Sequence, residues 1–422
     1  MLNIKQKKMT TSYQPLQLNQ RVEFLDLLRG FALLGILMVN MPLMNAPFVT
    51  EMGKFTIWTD PANETASWII RFFFTGKFYT LFSMLFGIGF YFFLRKADET
   101  ANSVLPVFRR RLGWLLAIGI LHVVLLWYGD ILVFYALFGF VMILFRKKSV
   151  KSLIIWAISV FMIPILLTLG FVLFFQWALS VPEIAETLAP QLKGSVVWMN
   201  DFIERANVVY STGSFAEIVR IRLLEYSNIL PGAFFFFPNV LAMFLIGVAF
   251  GKKKVFENLE ANRGLLNKLA LYSLPVAIVS NWALAYYSSY SSYVVFDWPI
   301  FWVTVSMAFG GPSLMFVYIA LIAHCYHKGY FKKISQAIMQ TGRMALTNYL
   351  MQSVIATTIF FSYGLGLYGQ VNIWQGMILT VAIYIVQVIW SHYWLKYYRF
   401  GPMEWLWRTL TYGKKQKMKK SQ

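Results

Sequence analysis

The residues best suited to chemistry are ionisable side chains inside otherwise apolar runs of the chain. Asp26 and Arg29 lie three residues apart, so on a helix they share a face and can form an ion pair. Asn40 follows Arg29 by eleven residues, which places it on the same face roughly 16 Å along the axis. We expect these three residues to contact a substrate. The alternative is that Arg29 only reaches toward lipid headgroups and sets the topology.

His122 is the second candidate, because an imidazole in an apolar run can carry a proton or act as a general base near neutral pH. Asp130 follows eight residues later, and a straight helix would separate the two Cα atoms by about 12 Å. This separation predicts two catalytic candidates that do not form a pair. A neutral His122 that hydrogen-bonds a neighbouring helix is the alternative interpretation.

Two further polar sets lie toward the carboxyl terminus. Asn348 and Gln352 are four residues apart and follow Arg343, so their shared helix face should point into a bundle rather than toward lipid. Glu404 precedes Arg408 by four residues, the favourable order for a helical ion pair. We expect these five residues to bind substrate. Interhelical hydrogen bonds and a short interfacial helix are the alternatives.

A metal site is not expected. His324, Cys325 and His327 form a short cluster that lacks the fourth ligand of a structural zinc site. Cys325 is the single cysteine, so an intrachain disulfide is excluded. The sequence also lacks the glycine-rich phosphate loop of ATP-driven proteins.

The elements that carry these residues are predicted from composition and apolar runs. Hydrophobic residues make up 58% of the chain and charged residues only 13%, against about 25% in soluble domains. Ten runs approach the length of a membrane-spanning helix. They cover about 24–43, 72–94, 112–128, 131–145, 152–178, 229–250, 269–288, 299–324, 344–362 and 373–396. The pattern predicts an all-α, polytopic transmembrane bundle with both termini on one side.

The third and fourth runs are the shortest of the ten, and two residues separate them. A re-entrant hairpin over 112–145 is therefore the alternative to two full spans. Such a hairpin would place Asp130 at membrane depth, where an ionisable residue is costly and usually functional.

The positions of the basic residues predict the orientation of the chain in the membrane. The net charge is +20, and 29 of the 38 basic residues lie in the amino-terminal arm, in alternate gaps between the runs and in the tail. Lys and Arg in short loops mark the cytoplasmic side, so both termini should be cytoplasmic. The basic excess thus indicates a lipid bilayer as partner and not nucleic acid, beside a small-molecule substrate. The oligomeric state stays open.

We predict three parts in the chain. A cytoplasmic basic arm over 1–23, with no cleaved signal peptide, precedes a single membrane domain over 24–396, and an interfacial helix with a basic tail follows over 397–422. The membrane domain includes an outer loop at about 179–228. Within it, Ser214 and Glu217 fit a capping box that opens a short helix through Tyr226.

Four blocks carry a family resemblance: Arg21–Asn40, His122–Ala136, Gly342–Ser353 and Gly401–Arg408. Together they resemble the YeiB-like family of bacterial multi-pass membrane proteins of unknown function, also described as domain-of-unknown-function family 418. The resemblance implies a plasma-membrane protein of a kind often described as involved in transport.

The first block is also similar to membrane acyltransferases of the acyltransferase-three and heparan glucosaminide acetyltransferase kinds. The similarity implies movement of an acyl group from a cytoplasmic acyl-CoA to an outer acceptor. In the acyltransferase-three proteins a catalytic histidine stands eleven residues after the arginine of the Leu-Arg-Gly motif. Asn40 occupies that position here, so His122 would have to supply the base. The sequence alone leaves open whether the chain is an enzyme.

Transport of a small polar or anionic solute is the first functional hypothesis. Arg29, His122, Asn348 and Gln352 would line the path, and His122 or Asp130 would couple it to protons. A passive role as partner in an envelope complex is a third and weaker possibility.

Acyl transfer is the second hypothesis. Arg29, with Arg343 or Arg408, would meet the phosphates of the donor from the cytoplasm, and His122 would act as base toward an outer hydroxyl or amine. No resident cofactor is expected, and acyl-CoA would enter only as the donor.

Overall fold

The structure is a computed structural model that describes residues 22–51, 55, 57–98, 104–291 and 294–420. Nearly the whole predicted basic arm over 1–23 lies outside these residues, which begin at Val22. The described part contains no β-strand, and its regular structure is helical apart from one isolated bridge between Tyr398 and Lys419.

The α-helices of the described part follow one another along the chain with short connections. They are α1 Glu23–Asn45, α2 Pro61–Phe73, α3 Lys77–Asp98, α4 Leu105–Leu125, α5 Leu132–Met142, α6 Val150–Ser180, α7 Pro182–Thr212, α8 Phe215–Ile229, α9 Ala233–Lys252, α10 Arg263–Ser288, α11 Trp298–His327, α12 Lys332–Arg343, α13 Ala345–Phe360, α14 Ile373–Tyr397 and α15 Pro402–Tyr412.

Every one of the ten predicted apolar runs falls on a helix, which confirms the all-α fold. Seven helical stretches in the described part are long and apolar enough to cross a membrane by length and composition. The runs at 112–128, 131–145 and 344–362 are not among them. α4 contains three arginines at 109–111, while Leu132–Phe145 and α13 are shorter than a span. Ten crossings and cytoplasmic termini therefore stay predictions.

The outer loop at 179–228 is more regular than the sequence suggested. It holds α7, a helix of 31 residues that was not predicted, and α8. The predicted capping box is present, because the Ser214 side chain accepts from the Glu217 backbone and the Glu217 side chain accepts from the Ser214 backbone. Since the box satisfies two otherwise unpaired donors, α8 starts at Phe215 and runs to Ile229.

Two glycines set the central crossing of the bundle. A Cβ added at Gly30 would overlap the carbonyl oxygen of Ile338, and one added at Gly342 would overlap the carbonyl oxygen of Asp26. α1 and α12 can therefore touch backbone to backbone only because neither position has a side chain. This crossing brings the predicted motifs around Arg29 and Arg343 into one place.

The carboxyl-terminal helix packs on the start of α4. α15 begins at Pro402, as the sequence predicted for an interfacial helix. The Trp407 indole donates to the carbonyl of Arg111 at 2.8 Å, and the Arg111 guanidinium lies 3.6 Å from the centre of the Trp407 ring. These contacts fix α15 against the end of α4 that the charge pattern predicts to be cytoplasmic.

Candidate functional site

The turn after α4 brings His122 and Asp130 together. α4 ends at Leu125, and the backbone N–H groups of Leu126 and Trp127 both donate to the carbonyl of His122, at 2.9 and 3.0 Å. The chain then reverses, and Asp130 Oδ2 comes to 3.0 Å from His122 Nδ1. The prediction that these residues do not form a pair was wrong, because it assumed that the helix continues straight to Asp130.

Neighbouring groups hold the turn in place. The Trp127 indole and the Tyr128 hydroxyl both donate to the carbonyl of Leu43 in α1, at 3.3 and 2.9 Å. The other carboxylate oxygen of Asp130 accepts from the backbone N–H of Val133 at 2.7 Å and so caps the start of α5. Asp130 is thus fixed by one oxygen and presents the other to His122.

The opposite nitrogen of the imidazole meets a hydroxyl. His122 Nε2 lies 2.7 Å from Ser353 Oγ, midway along α13. The ring of Tyr349, one helical turn earlier in α13, has its centre 5.3 Å from the His122 ring centre. We call His122, Asp130, Ser353 and Tyr349 the His122 cluster. The side chains of His122 and Asp130 have no exposed surface.

The cluster contains hydrogen-bonding capacity that the protein does not use. His122 Nδ1 and Asp130 Oδ2 are close, but neither has a well-aligned hydrogen-bond partner in the described part of the chain. Buried polar groups are nearly always paired, so each exception needs an explanation. Catalytic hydrogen bonds are often bent in a protein without substrate and align only when substrate binds.

Hydroxyl, imidazole and carboxylate in this order can perform acyl transfer. The imidazole takes the hydroxyl proton at Nε2, while a carboxylate at Nδ1 fixes the tautomer and stabilises the positive ring. The described geometry supplies the three groups in that order, with Ser353 at Nε2 and Asp130 at Nδ1.

A row of amides on α13 and α14 lies beside the cluster. Gln352 donates to the Leu33 carbonyl at 3.2 Å and to Gln387 Oε1 at 3.0 Å, and Gln387 donates to the Asn348 carbonyl at 2.8 Å. Asn348 in turn donates to Ser391 Oγ at 2.9 Å. Asn348 and Gln352 are therefore buried in the bundle, but they contact other helices rather than His122.

Glu404 has a different partner from the one that its spacing favoured. Its Oε1 accepts from the backbone N–H groups of Leu346 and Thr347 at 2.7 and 3.0 Å, and its Oε2 accepts from the Thr347 hydroxyl at 2.5 Å. The Thr347 oxygen also accepts from the backbone N–H of Met403 at 3.0 Å. We call these four residues the cap cluster, because they cap the start of α13. Burial raises the pKa of the Glu404 carboxyl, and the bonds from Thr347 oppose this shift.

The remaining predicted residues lie apart from His122. Asp26 and Arg29 form the expected ion pair, at 2.6 Å. Asn40 is half-buried on α1, and its side chain makes no hydrogen bond within the described residues. Arg343 ends α12 at the central crossing, and the Arg408 guanidinium lies 4.5 Å from the centre of the Phe400 ring. No described contact joins any of them to the His122 cluster.

Three polar residues near His122 were not predicted as site residues: Ser353, Arg222 and Glu225. Arg222 of α8 is fully buried and donates through Nη1 to the carbonyl of Val124 at 2.7 Å. Glu225 accepts from the Tyr210 hydroxyl and from a backbone N–H. Arg222 and Glu225 were assigned to a solvated outer loop. The only feature of the sequence that could have indicated Arg222 and Glu225 was their three-residue spacing, which places them on one helix face. For Ser353 the only such feature was its polar neighbour Gln352.

His324 and His327 make polar contacts of their own, apart from the His122 cluster. His327 Nδ1 lies 2.7 Å from Glu260 Oε2, and His324 Nδ1 lies 3.3 Å from an Arg263 nitrogen. His327 also borders a cavity of about 540 Å³ at the ends of α10, α11 and α12. The described residues contain no cluster of three or more groups that could hold a metal ion.

Comparison with known proteins gives three similar chains and one family. A family model described as "Protein of unknown function (DUF418)" matches residues 250–414. The Uncharacterized protein YxaH of Bacillus subtilis (strain 168) is 35% identical over 421 residues, which cover 95% of this chain and 97% of the relative. The Uncharacterized protein YeiB of Escherichia coli (strain K12) is 28% identical over 92% of this chain and 95% of its own. An uncharacterized 39.9 kDa protein of Bacillus acidopullulyticus is also 28% identical, over 95% of this chain and 96% of its own. No solved structure matches the chain.

Proposed function

We propose that this chain, which belongs to the DUF418 family of proteins of unknown function, is a membrane acyltransferase whose base is His122. One observation carries the proposal. His122 lies 2.7 Å from the Ser353 hydroxyl at one nitrogen and 3.0 Å from the Asp130 carboxylate at the other. Hydroxyl activation by a carboxylate-oriented imidazole is the shared device of acyl-transferring sites on many unrelated folds.

The first half-reaction transfers the acyl group to the protein. Ser353 Oγ passes its proton to His122 Nε2 and attacks the carbonyl carbon of an acyl thioester. The Oγ–C bond forms, the C–S bond breaks, and the leaving thiolate takes the proton from His122. Asp130 stabilises the positive imidazole between the two proton transfers and acts as a positioning residue.

The second half-reaction returns the serine to its first state. An acceptor hydroxyl gives its proton to His122 and attacks the ester carbon on Ser353. The new O–C bond forms, the Oγ–C bond breaks, and Ser353 regains the proton. The acyl group has then moved from sulfur to the oxygen of the acceptor, and no oxidant or reductant is needed.

The positions of the helix ends support opposite entry of donor and acceptor. Arg29 and Arg343 stand at the crossing of α1 and α12, on the side that the basic residues mark as cytoplasmic, and Arg29 is 25% exposed. We place the phosphates of an acyl-CoA donor there, since arginine binds phosphate through paired donors. α13 then leads from this side to Ser353, and the acceptor would enter from the side of α7 and α8.

Proton-coupled transport is the second candidate function. The observation that favours it is the buried contact between His122 and Asp130, next to the amide row of Gln352, Gln387 and Asn348. Buried ionisable pairs mark proton relays in membrane proteins. Removal of the Ser353 hydroxyl distinguishes transport from acyl transfer, because a proton relay through His122 and Asp130 would continue to work without it.

The experiment is a thiol-release assay on the full chain in lipid nanodiscs. Acyl-CoA donors of short, medium and long chain are supplied with and without a mixture of alcohol acceptors, and free thiol is measured over time. We expect wild-type protein to release thiol and His122→Gln to release at least about a thousandfold less. His392→Gln is the matched control, since it makes the same change at an exposed position of α14.

Three results would contradict the proposal. Thiol release that is equal in wild-type protein and His122→Gln would exclude His122 as base. Wild-type protein that releases no thiol from any donor would exclude acyl transfer. Solute uptake that needs His122 but is unchanged in Ser353→Ala would favour transport instead.

A further inference from the structure

The cavity beside His327 lies where four helices begin or end, on the side that the basic residues mark as cytoplasmic. It measures about 540 Å³, which is within the roughly 300–1,000 Å³ of small-molecule sites. Its walls come from the starts of α1, α10 and α12, from the end of α11 and from the segment before α10. These walls contribute no residue to the His122 cluster.

The cavity lies at the level of the lipid headgroups. The predicted apolar run of α11 ends at about 324, and His327 follows it by three residues, or about 4.5 Å along a helix. Arg263 precedes the predicted run of α10 by six residues, or about 9 Å. The polar layer outside the hydrocarbon core is about 5–8 Å thick on each side. Because the end of an apolar run marks the edge of the hydrocarbon, the polar groups of the cavity stand where a phospholipid carries its phosphate.

Two cations border the cavity from different helices. Arg263 comes from the start of α10 and Lys332 from the start of α12. The Arg263 guanidinium contacts the imidazole of His324 at 3.3 Å. Neither Arg263 nor Lys332 makes an ion pair with a carboxylate of the described residues. Cations on two walls can bind one phosphate between them, since arginine and lysine both donate to phosphate oxygens.

Two carboxylates border the same cavity. Glu260 already has a partner, because its Oε2 lies 2.7 Å from His327 Nδ1. Glu23, at the start of α1, is close enough to the Tyr326 hydroxyl to accept a hydrogen bond from it. A carboxylate has about four lone-pair positions, so Glu23 can also accept from a cationic donor. The cavity thus offers contacts to an anionic and a cationic group of one ligand.

Apolar residues line the rest of the cavity. Leu266 of α10 and Ala323 of α11 are buried, and Leu259 and Met339 are half-buried. A ligand with charged groups at one end and methylenes at the other fits this mixed lining, because the methylenes gain from apolar contact. A phospholipid is such a ligand.

The same cavity lies beneath the less covered half of α12. Thr341 and Gly342, both near its carboxyl end, are the buried residues of this helix. Its amino half borders the cavity through Lys332, Ser335 and Met339. A bound lipid would therefore cover the half of α12 that the protein itself leaves open.

We propose that this cavity binds the headgroup of a phospholipid that carries both a phosphate and a primary ammonium, which is a phosphoethanolamine group. Arg263 and Lys332 hold the phosphate, and Glu23 accepts from the ammonium. A phosphatidylglycerol headgroup lacks a cation, so Glu23 would repel its phosphate. A phosphatidylcholine headgroup has a cation without N–H donors, so it cannot hydrogen-bond to Glu23. The site is independent of the proposed acyl transfer, because it shares no residue with the His122 cluster.

The test measures lipid binding to the full chain. The protein is purified in detergent, stripped of lipid and titrated with phosphatidylethanolamine, phosphatidylglycerol or phosphatidylcholine of the same acyl chains. Native mass spectrometry then counts the bound lipids. We expect one phosphatidylethanolamine to bind at least about tenfold more tightly than either of the other lipids. Equal affinity for the three lipids, or a preference for one of the other two, would overturn the inference.

Two variants assign the binding to the cavity. Glu23→Gln should remove the preference for phosphatidylethanolamine over phosphatidylglycerol, because the partner of the ammonium and the repulsion of the lone phosphate are lost together. Arg263→Gln should weaken phosphatidylethanolamine binding about tenfold, since the phosphate loses a charged donor. Glu64→Gln on α2 and Arg109→Gln on α4 are the matched controls, because they make the same changes at exposed positions outside the cavity. An unchanged preference in Glu23→Gln would overturn the role of the carboxylate.

A last arm distinguishes a membrane lipid from a soluble compound with the same headgroup. Glycerophosphoethanolamine is added to the complex with phosphatidylethanolamine at a concentration equal to that of the lipid. We expect the lipid to stay bound, because its acyl chains add apolar contacts that the soluble compound lacks. Displacement of the lipid under these conditions would overturn its assignment as the ligand.

Discussion

Two buried polar clusters on α13 differ in how completely they are bonded. In the cap cluster, both oxygens of Glu404 and the hydroxyl of Thr347 accept or donate bonds of 2.5–3.0 Å. In the His122 cluster, about two helical turns farther along α13, His122 Nδ1 and Asp130 Oδ2 lie close together without an aligned bond. Arg222 lies beside the end of α4, where its Nη1 donates to the carbonyl of Val124 at 2.7 Å.

This difference in hydrogen bonding distinguishes a structural role from a functional one. A carboxylate whose oxygens all have donors stabilises the fold by pairing the free N–H groups of a helix start. A buried polar group without an aligned bond costs stability, and a catalytic role is one reason why such a group persists. We therefore assign the cap cluster to the assembly of α13 on α15, and the His122 cluster to chemistry.

His122→Gln should show the largest effect on activity. Removing the base should lower kcat for acyl transfer by about a thousandfold or more, because the serine proton then has no acceptor. The unfolding midpoint is measured beside kcat, because removal of the imidazole leaves the buried Asp130 carboxylate without its neighbour. The variant His122→Gln/Ser353→Ala should be no slower than the single variants, as residues that act as one unit are not additive. A double variant that is slower by the product of both effects would show that they act independently.

Asp130→Asn should have the second-largest effect on activity. The amide cannot stabilise the positive imidazole, so kcat should fall by about a hundredfold while KM stays unchanged. Steady-state kinetics with a short-chain acyl-CoA distinguish the two parameters. A rise in KM with kcat unchanged would mean that Asp130 binds substrate instead of positioning His122.

Gly342→Ala should affect stability and not the chemistry. The added Cβ would overlap the carbonyl oxygen of Asp26, so α1 and α12 must separate, at a cost of about 1–3 kcal/mol. Gly264→Ala is the matched control, since nothing lies within 4 Å of the Cβ that it adds. A lower unfolding midpoint for Gly342→Ala only, in nanodiscs, is the expected result. Equal midpoints would show that the crossing is looser than described.

Thr347→Val should give the smallest effect and test the cap cluster. The change removes one donor to Glu404 and one acceptor for Met403, at a cost of about 1–2 kcal/mol. Thiol release by the folded protein should stay near the wild-type rate. A loss of activity comparable with that of His122→Gln would remove the distinction between the two clusters.

The same variant should change the dependence of stability on pH. Because burial raises the Glu404 pKa above its ordinary 4.5, the folded state keeps the proton at pH values where the unfolded state has lost it. Stability from this group thus falls as pH rises from about 4.5 to the raised pKa. Thr347 lowers that pKa, so its removal should make the fall larger. Unfolding midpoints at several pH values between 4 and 8 would measure it, and an unchanged slope would contradict the assignment.

The helices could be predicted from the sequence because burial in a bundle and in lipid requires long apolar runs. Each predicted apolar run falls on a helix, and the capping box at Ser214 and Glu217 predicted the start of α8 correctly. Apolar runs and capping boxes are both properties of a short stretch of sequence. α7 could not be found in this way, because it is too polar to contain a long apolar run and had been assigned to a loop.

The site could be predicted only in part. His122 and Asp130 could be identified from the sequence as polar residues within apolar runs. Their contact could not, because it depends on where α4 ends and on a reversal of the chain between the two predicted runs. Ser353 and Glu404 depend on partners that are distant in sequence. Spacing rules describe neighbours on one helix, and these contacts join different helices.

The most direct measurement is the mass of the Ser353 peptide after the protein is mixed with an acyl-CoA in the absence of an acceptor. The protein is quenched within seconds, digested and analysed beside Ser353→Ala and His122→Gln. We predict one acyl group on Ser353 in wild-type protein, none in Ser353→Ala and at most a trace in His122→Gln. An unmodified Ser353 in a protein that releases thiol, or equal labelling in His122→Gln, would contradict the account.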